Sequence, residues 1–186
     1  MTTYKLVVLH GTRRIGNKSI HVARFLHQEL AACENADVKL LSLMDYDFPL
    51  MEVRRPLVWP AGMQEVFDLL SEAHGILIVA PEYKNGIPAA LKNLLDFLPT
   101  RHFRHKAVAL SAVSSLETGG LDCIAQLRIV MGTLGGITVP ERLQVTLVED
   151  LFNEAGEPNT IEYLKESSKT FLEEFLWLTI ALASAK

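Results

Sequence analysis

Short apolar blocks alternate with helical patterns along the whole chain, and this alternation constrains the fold more than any other feature. The apolar blocks predict buried strands over residues 5–9, 38–43, 75–80, 106–111 and 144–148. Apolar periodicity predicts helices over residues 20–32, 61–73, 87–98, 121–134 and 160–183. Strands that alternate with helices form a parallel sheet with helices on both faces. The sequence therefore predicts a doubly wound α/β fold.

Composition places the chain among ordinary globular proteins. It has 186 residues, of which 49% are hydrophobic and 22% charged, which is enough to form one domain over residues 1–186. A net charge of −4 argues against general nucleic-acid binding, and two cysteines provide neither a disulfide framework nor a metal site. The apolar run over residues 175–185 is shorter than the roughly 18 residues of a membrane span. No secretory signal pattern precedes the first strand. We therefore expect a cytoplasmic location without membrane contact.

The loop over residues 11–19, called the phosphate loop below, has the composition of a phosphate site. It follows the first predicted strand, opens a helix and is rich in glycine, arginine, amide and hydroxyl groups. Ligands of parallel α/β sheets bind beyond the carboxyl ends of the strands, which places this loop at the ligand edge. The start of a helix offers unpaired N–H groups and a positive dipole end, and Arg14 adds a charged planar donor.

Three phosphate-binding templates compete for this loop. The dinucleotide fingerprint is absent because Thr12 and Arg13 replace its glycine pattern. The P-loop is a near miss, since Asn17 intrudes before Lys18 and rotates the following helix by about 100°. The third strand also lacks a terminal Asp that could hold magnesium. The template that fits is the phosphate loop of a flavin mononucleotide (FMN) site, which needs hydroxyl, amide and arginine donors. The structural alternative is that Asn17 only caps the helix and Arg14 is solvated.

The loop after the third strand carries a more specific pattern. Residues 80–96 contain Pro-Glu-Tyr followed by a Leu-Lys-Asn helix start, and this segment closely resembles the NAD(P)H-dependent FMN reductase family. The phosphate loop resembles that family's Gly-Ser-x-Arg-x-x-Ser-x-Asn motif. The resemblance covers nearly the whole chain. It implies a flavodoxin-like fold, a five-stranded parallel sheet of order 2-1-3-4-5 with helices on both faces.

The same resemblance implies an activity. The family binds FMN, reduces it with NADPH or NADH, and passes the electrons in ping-pong order to a small acceptor such as a quinone, an azo compound or free flavin. It implies a dimer or tetramer, and no catalytic side chain, because the flavin performs the chemistry. The alternative is a non-enzymatic flavoprotein that acts as an electron carrier or a redox-sensing interaction module.

The motifs assign cofactor-binding roles residue by residue. Phosphate ligands are predicted at Thr12, Arg14, Asn17 and Ser19. Contacts to the flavin ring are predicted at Pro81, Glu82, Tyr83 and Lys84, with Ser111 and Gly119 from the loop after the fourth strand. The chain departs from the family pattern at three positions: Asn17 and Ser19 stand in exchanged order, Lys84 replaces an asparagine, and Leu116 replaces a glycine.

Two further groups invite functional interpretations. The basic cluster over residues 101–106 could attract the second phosphate of NADPH, but it precedes the fourth strand and so lies at the edge opposite the flavin. A solvated turn is the favoured interpretation of this cluster. His10 ends the first strand beside the phosphate loop, where a structural role is favoured over a catalytic one.

Overall fold

The structure is a computed structural model that describes residues 2–53 and 58–185, and within these ranges strands and helices alternate as predicted. The strands are β1 (Tyr4–His10), β2 (Ala36–Ser42), β3 (Gly75–Pro81), β4 (Ala107–Val113), β5 (Ile137–Thr138) and β6 (Leu143–Val145). The helices are α1 (Ser19–Ala31), α2 (Met63–Glu72), α3 (Ala89–Phe97), α4 (Leu121–Leu134), α5 (Val148–Leu151) and α6 (Ile161–Ser184). Short 3₁₀ turns lie at Leu43–Asp45 and Thr100–His102.

The strands pair in parallel in the order β2-β1-β3-β4-β5, which confirms the predicted order 2-1-3-4-5. Leu6 of β1, for example, lies opposite Val38 of β2 and Gly75 of β3. Because all these strands run the same way, their carboxyl ends meet at one edge of the sheet. The loops after β1, β3 and β4 therefore lie side by side, as a ligand site at this edge requires.

The predicted fifth strand over residues 144–148 is wrong in its extent. The outer position beside β4 is filled by two short strands, with β5 pairing to Ala107 and Val108 and β6 pairing to the far half of β4. Pro140 lies between them, and proline has no N–H to donate to a sheet ladder. Leu147 then adopts a left-handed φ of 48°, and Val148 begins α5 instead of ending a strand.

Helices cover both faces of the sheet, and each face has its own core. One core joins odd-numbered residues of β1 to α2, α3 and α4, with members that include Val7, Leu9, Phe67, Leu70, Leu94 and Leu127. The other joins even-numbered residues of β1 to α1 and α6, with members that include Leu6, Val8, Leu26, Leu30, Phe171 and Phe175. This alternation follows from the two-residue period of a strand that is buried on both faces.

The connection after β2 remains largely irregular. Residues 54–57 of the predicted connection over 46–60 lie outside the described ranges. Tyr46 stacks on Phe48 with ring centroids 5.2 Å apart, and Trp59 meets Phe67 edge to face at 4.9 Å. Trp59 therefore packs against the core instead of facing the ligand edge. No helix in the described ranges combines the length and apolarity needed to cross a membrane.

Candidate functional site

A pocket of about 250 Å³ opens where the carboxyl ends of β1, β3 and β4 meet. Its wall combines the phosphate loop, the β3–α3 loop (residues 82–88), the β4–α4 loop (residues 114–120) and the start of α5. The lining residues are Arg14, Ile15, Gly16, Asn17, Lys18, Ser19, Pro81, Glu82, Tyr83, Val113, Ser114, Ser115, Val148 and Glu149. The three loops that the sequence singled out thus share one cavity.

The phosphate loop presents backbone donors to this pocket. Among the described residues, the N–H groups of Ile15, Gly16 and Lys18 have no hydrogen-bond acceptor. Gly16 has a left-handed φ of 73°, which a side chain would disfavour. These groups lie just before Ser19, the first residue of α1, whose first turn holds no acidic residue. Unpaired amides at the positive end of a helix dipole favour an anion.

Asn17 and Ser19 direct their side chains into the protein. Asn17 Oδ1 accepts from the N–H of Ile20 at 3.0 Å and so caps the start of α1. The Asn17 side-chain amide donates to the carbonyl of Arg14 at 2.7 Å, and Ser19 Oγ donates to Asn17 Oδ1 at 2.9 Å. Ser19 is almost fully buried. Both side chains therefore shape the phosphate loop from within instead of presenting free donors to a ligand.

His10 joins this network to the end of β2. Its Nε2 lies 3.0 Å from Asn17 Oδ1, and its Nδ1 lies 3.0 Å from Ser42 Oγ. Because Asn17 Oδ1 can only accept, Nε2 carries the proton, so Nδ1 accepts from the Ser42 hydroxyl. Ser42 Oγ in turn accepts from the N–H of Met44. Burial lowers the pKa of His10 to about 4, although the hydrogen bond to Asn17 works in the opposite direction. The imidazole is therefore neutral at pH 7, which supports a structural role.

Thr12 and Arg14 connect the phosphate loop to the β3–α3 loop. Thr12 Oγ1 accepts from the N–H of Arg14 at 3.2 Å and lies 3.2 Å from the hydroxyl of Tyr83. Thr12 is almost fully buried. The exposed guanidinium of Arg14 sits 5.4 Å from the centre of the Tyr83 ring, a cation–π distance. Arg14 thus stands at the mouth of the pocket, where its donors can reach an anion.

Glu82 has a partner that the sequence did not reveal. Its carboxylate Oε2 accepts from the N–H of Cys123 at 3.0 Å, in the first turn of α4. Its own N–H donates to the carbonyl of Val113 at the end of β4 at 2.9 Å. The carboxylate therefore stabilises a helix start, as anions do at that end of a helix, and links the β3–α3 loop to α4. The partner lies 41 residues away, so no local pattern could indicate it.

Four predicted site residues do not line the pocket: Thr12, which lies behind Tyr83, and Ser111, Gly119 and Lys84. Ser111 is fully buried two positions before the end of β4, and Ser114 and Ser115 occupy the pocket wall instead. Gly119 packs beneath Ser114, leaving no room for a side chain there. Lys84 is exposed beyond the pocket wall. Pro81, Glu82 and Tyr83 do line the wall.

Sequence reasoning missed several lining residues. Ser114 and Ser115 follow β4 directly, so the strand boundary alone could have indicated them. Val148 and Glu149 were hidden by the wrong extent of the fifth strand. Ile15, Gly16 and Lys18 lie in the predicted phosphate loop, but they were not named individually as ligands because their unpaired donors are backbone N–H groups.

Comparison with known proteins decides which phosphate compound this geometry suits. The family model of NADPH-dependent FMN reductases matches residues 4–150. The chain belongs to this family. It is 28% identical over 156 residues to an NADPH azoreductase of Bacillus sp. strain OY1-2, covering 82% of this chain and 83% of the relative. It is 27% identical over 177 residues to a quinone reductase of Escherichia coli strain K12, covering 91% and 94%.

Solved structures agree on the fold. An oxidoreductase from Corynebacterium diphtheriae superposes with a TM-score of 0.77 at 18% identity, covering 97% of this chain and 99% of that one. The apo form of an NADH:FMN oxidoreductase superposes with a TM-score of 0.74 at 19% identity, covering 96% and 90%. The predicted family, the flavodoxin-like fold and the class of an FMN-dependent NAD(P)H oxidoreductase are thereby confirmed.

Proposed function

We propose that the pocket binds FMN with its phosphate in the phosphate loop and its ring between the β3–α3 and β4–α4 loops. The observation that carries this assignment is the set of backbone amides at Ile15, Gly16 and Lys18, which have no acceptor within the described chain. Unsatisfied donors are costly unless water or a ligand pairs with them. A terminal phosphate matches these donors in charge and in number of acceptor oxygens.

The side chains of the phosphate loop divide the work of holding the phosphate. Arg14 supplies an exposed positive charge at the mouth of the pocket. Thr12 contacts the Arg14 amide and the Tyr83 hydroxyl and so fixes both. Asn17 and Ser19 keep the shape of the loop through their hydrogen bonds to His10. The exchanged order of Asn17 and Ser19 is therefore compatible with FMN binding, because neither side chain needs to reach the ligand.

The reaction we propose is transfer of a hydride from NADPH or NADH, followed by reduction of a small conjugated acceptor. Bound FMN supplies the hydride and electron transfer that side chains cannot perform. The chain contributes the pocket wall at Pro81, Tyr83 and Ser114 and holds the cofactor in place. Co-substrate and acceptor would occupy the same open space in turn, which is the ping-pong order. The names of the two relatives favour a quinone or an azo compound as acceptor.

A visible absorption experiment tests this function. The purified protein is loaded with FMN under anaerobic conditions, and NADPH or NADH is added. We expect the yellow flavin absorption to bleach within a turnover time and to return when a quinone is added. A protein that holds no FMN overturns the cofactor assignment. Flavin that is bound but reduced only sluggishly by either nucleotide favours an electron carrier.

We also propose that the protein self-associates. Several large apolar side chains lie exposed on the outer helices: Leu121 and Ile129 on α4, and Tyr163, Trp177 and Ile180 on α6. Trp177 is 64% exposed, so it does not pack in the core. Light scattering should give a mass of two or four chains, and a monomer at micromolar concentration would refute the proposal. The cytoplasmic location, the absence of a nucleic-acid partner and the single domain over residues 1–186 stay predictions.

A further inference from the structure

The tight turn after β3 holds two residues in a backbone conformation that favours glycine. Lys84 has φ of 52° and Asn85 has φ of 59°. Tyr83 and Gly86 exchange both backbone hydrogen bonds across them, each at 3.1 Å. This is the pattern of a two-residue turn of type I′, in which asparagine is common at the left-handed positions and lysine is not. Such a turn persists only when its surroundings hold it.

Two side chains on one face of helix α4 bind this turn. The side-chain amide of Gln126 donates from Nε2 to the carbonyl of Asn85 at 2.8 Å and accepts at Oε1 from the N–H of Ile87 at 3.3 Å. One turn earlier on the same face, Asp122 accepts from the side chain of Asn85 at 2.8 Å. Gln126 therefore grips the backbone on both sides of Gly86.

Gln126 is not part of the pocket itself. Among the described residues, the pocket wall includes none from α4, whereas Glu82 and Tyr83 at the start of the turn belong to it. Tyr83 also reaches the phosphate loop through its hydroxyl, 3.2 Å from Thr12 Oγ1. A shift of the turn would therefore move the wall of the pocket at Glu82 and Tyr83 and, at the same time, the contact of Tyr83 with the phosphate loop.

We infer that Gln126 is a positioning residue for the flavin pocket, because it holds the strained turn over residues 83–86 in place. Asp122 assists through the Asn85 side chain. The inference rests on the proposed FMN site. It predicts that loss of the Gln126 amide weakens FMN binding although Gln126 touches no part of the pocket.

The first test replaces Gln126 by methionine, which keeps the length and apolar stem of the side chain but removes both hydrogen bonds. The matched control is Gln64→Met, since Gln64 is exposed on α2 and, among the described residues, donates to Asp68 alone, at 2.8 Å. We expect FMN to bind about tenfold more weakly to Gln126→Met, as the removal of two hydrogen bonds implies, and equally well to the control. Equal FMN affinity of Gln126→Met and wild type would overturn the inference.

The second test separates positioning from general damage. Lys84→Gly relaxes the left-handed position, so the turn should then need less support. In the Lys84→Gly background, we expect Gln126→Met to weaken FMN binding by less than about threefold instead of about tenfold. A tenfold loss in both backgrounds would overturn the positioning role.

A third readout needs no flavin. Hydrogen exchange at the Ile87 amide should accelerate at least about tenfold in Gln126→Met but not in Gln64→Met, because Ile87 loses its acceptor. An unchanged exchange rate contradicts the inference. Failure of the wild-type protein to bind FMN would instead overturn the proposed function, and the exchange measurement would still decide whether Gln126 holds the turn.

Discussion

The two edges of the sheet differ in whether the protein pairs the backbone groups near its helix ends. At the amino edge, the ammonium group of the buried Lys106 donates to the carbonyls of Leu70 and Ser71 at the end of α2, at 2.5 and 2.7 Å. At the carboxyl edge, the amides of Ile15 and Gly16, in the loop just before α1, have no acceptor within the described chain. A helix end whose carbonyls pair with the protein's own charge contributes to stability, whereas unpaired amides just before a helix offer a binding site for an outside anion.

The histidines at the two edges are alike, so they do not explain this difference. His102 at the amino edge pairs with Ser71 Oγ at 2.9 Å and stacks on Phe67 with ring centroids 5.0 Å apart. Burial lowers its pKa to about 4, as it does for His10 at the carboxyl edge. The prediction of a solvated turn over residues 101–106 is therefore wrong for His102 and Lys106, which are both buried.

The largest expected effect is on the free energy of unfolding and comes from a substitution at the amino edge. Lys106→Met should lower the free energy of unfolding by about 4 kcal/mol, because it leaves two buried carbonyls without a charged donor. FMN affinity should be unchanged, since the amino edge is remote from the pocket. Urea unfolding and FMN titration measure both quantities. Lys92→Met, which removes an exposed pair with Asp96, is the control and should cost only about 0.3–0.5 kcal/mol. Equal losses in the two variants would refute the structural role of Lys106.

A substitution at the carboxyl edge should have the opposite result, changing FMN affinity but not stability. Arg14→Ala should weaken FMN binding by about 1.5–3 kcal/mol for each charge-assisted hydrogen bond that it removes, with little change in stability, because Arg14 is exposed. The neighbouring Arg13 pairs with Asp47 and does not line the pocket. Arg13→Ala therefore removes the same charge without removing a donor to the phosphate. Fluorescence titration with FMN compares the two variants. An equal loss of FMN affinity in both would show that Arg14 acts only through its positive charge and not through a hydrogen bond to the phosphate.

The buried histidines predict how stability depends on pH. The unfolded chain has a histidine pKa of 6.5 and the folded chain one of about 4, so the unfolded state binds more protons between these values. Stability is therefore fully present above pH 6.5 and is lost as the pH falls toward 4. Each histidine should contribute about 2 kcal/mol to the loss between pH 7 and pH 5. Urea unfolding of His10→Gln should show a shallower loss. A slope equal to that of wild type would contradict the neutral, buried state of His10.

The smallest expected effect concerns the shape of the phosphate loop before α1. Asn17→Ala removes the cap on the N–H of Ile20 and should lower the free energy of unfolding by about 1 kcal/mol. FMN binding should also weaken, because the phosphate loop loses its internal support. Asn17→Asp retains an acceptor for Ile20 and should keep most of the stability. If Asn17→Ala altered FMN affinity without altering stability, Asn17 would be a direct phosphate ligand.

The sequence predicted the fold well because its signals are local. Apolar periodicity placed α1 over 20–32, within one residue of Ser19–Ala31, and α4 over 121–134, as found. The prediction of a strand over 144–148 failed at its end because Leu147 turns left-handed and Val148 begins α5, which the apolar pattern does not reveal. Hydroxyl residues stand at both 111 and 114, and only the end of β4 decides that Ser114, and not Ser111, lines the pocket.

The site was harder to predict because its partners are distant along the chain. The composition of the phosphate loop showed which groups could bind a phosphate, but not that Asn17 and Ser19 are occupied by His10. That pairing depends on how β1 and α1 pack. Glu82 likewise reaches Cys123 only because β3 and the start of α4 meet at one edge. Residue types identify donors, whereas the fold decides which donors remain free.

The most direct test of the unpaired loop amides is a paired titration with FMN and riboflavin, which differ only in the phosphate. If the amides of Ile15, Gly16 and Lys18 together with Arg14 hold that phosphate, FMN should bind at least about 100-fold more tightly than riboflavin. Arg14→Ala should lower the ratio of FMN affinity to riboflavin affinity. Equal affinities for the two flavins would contradict the central claim that the amides just before α1 are left unpaired for a phosphate.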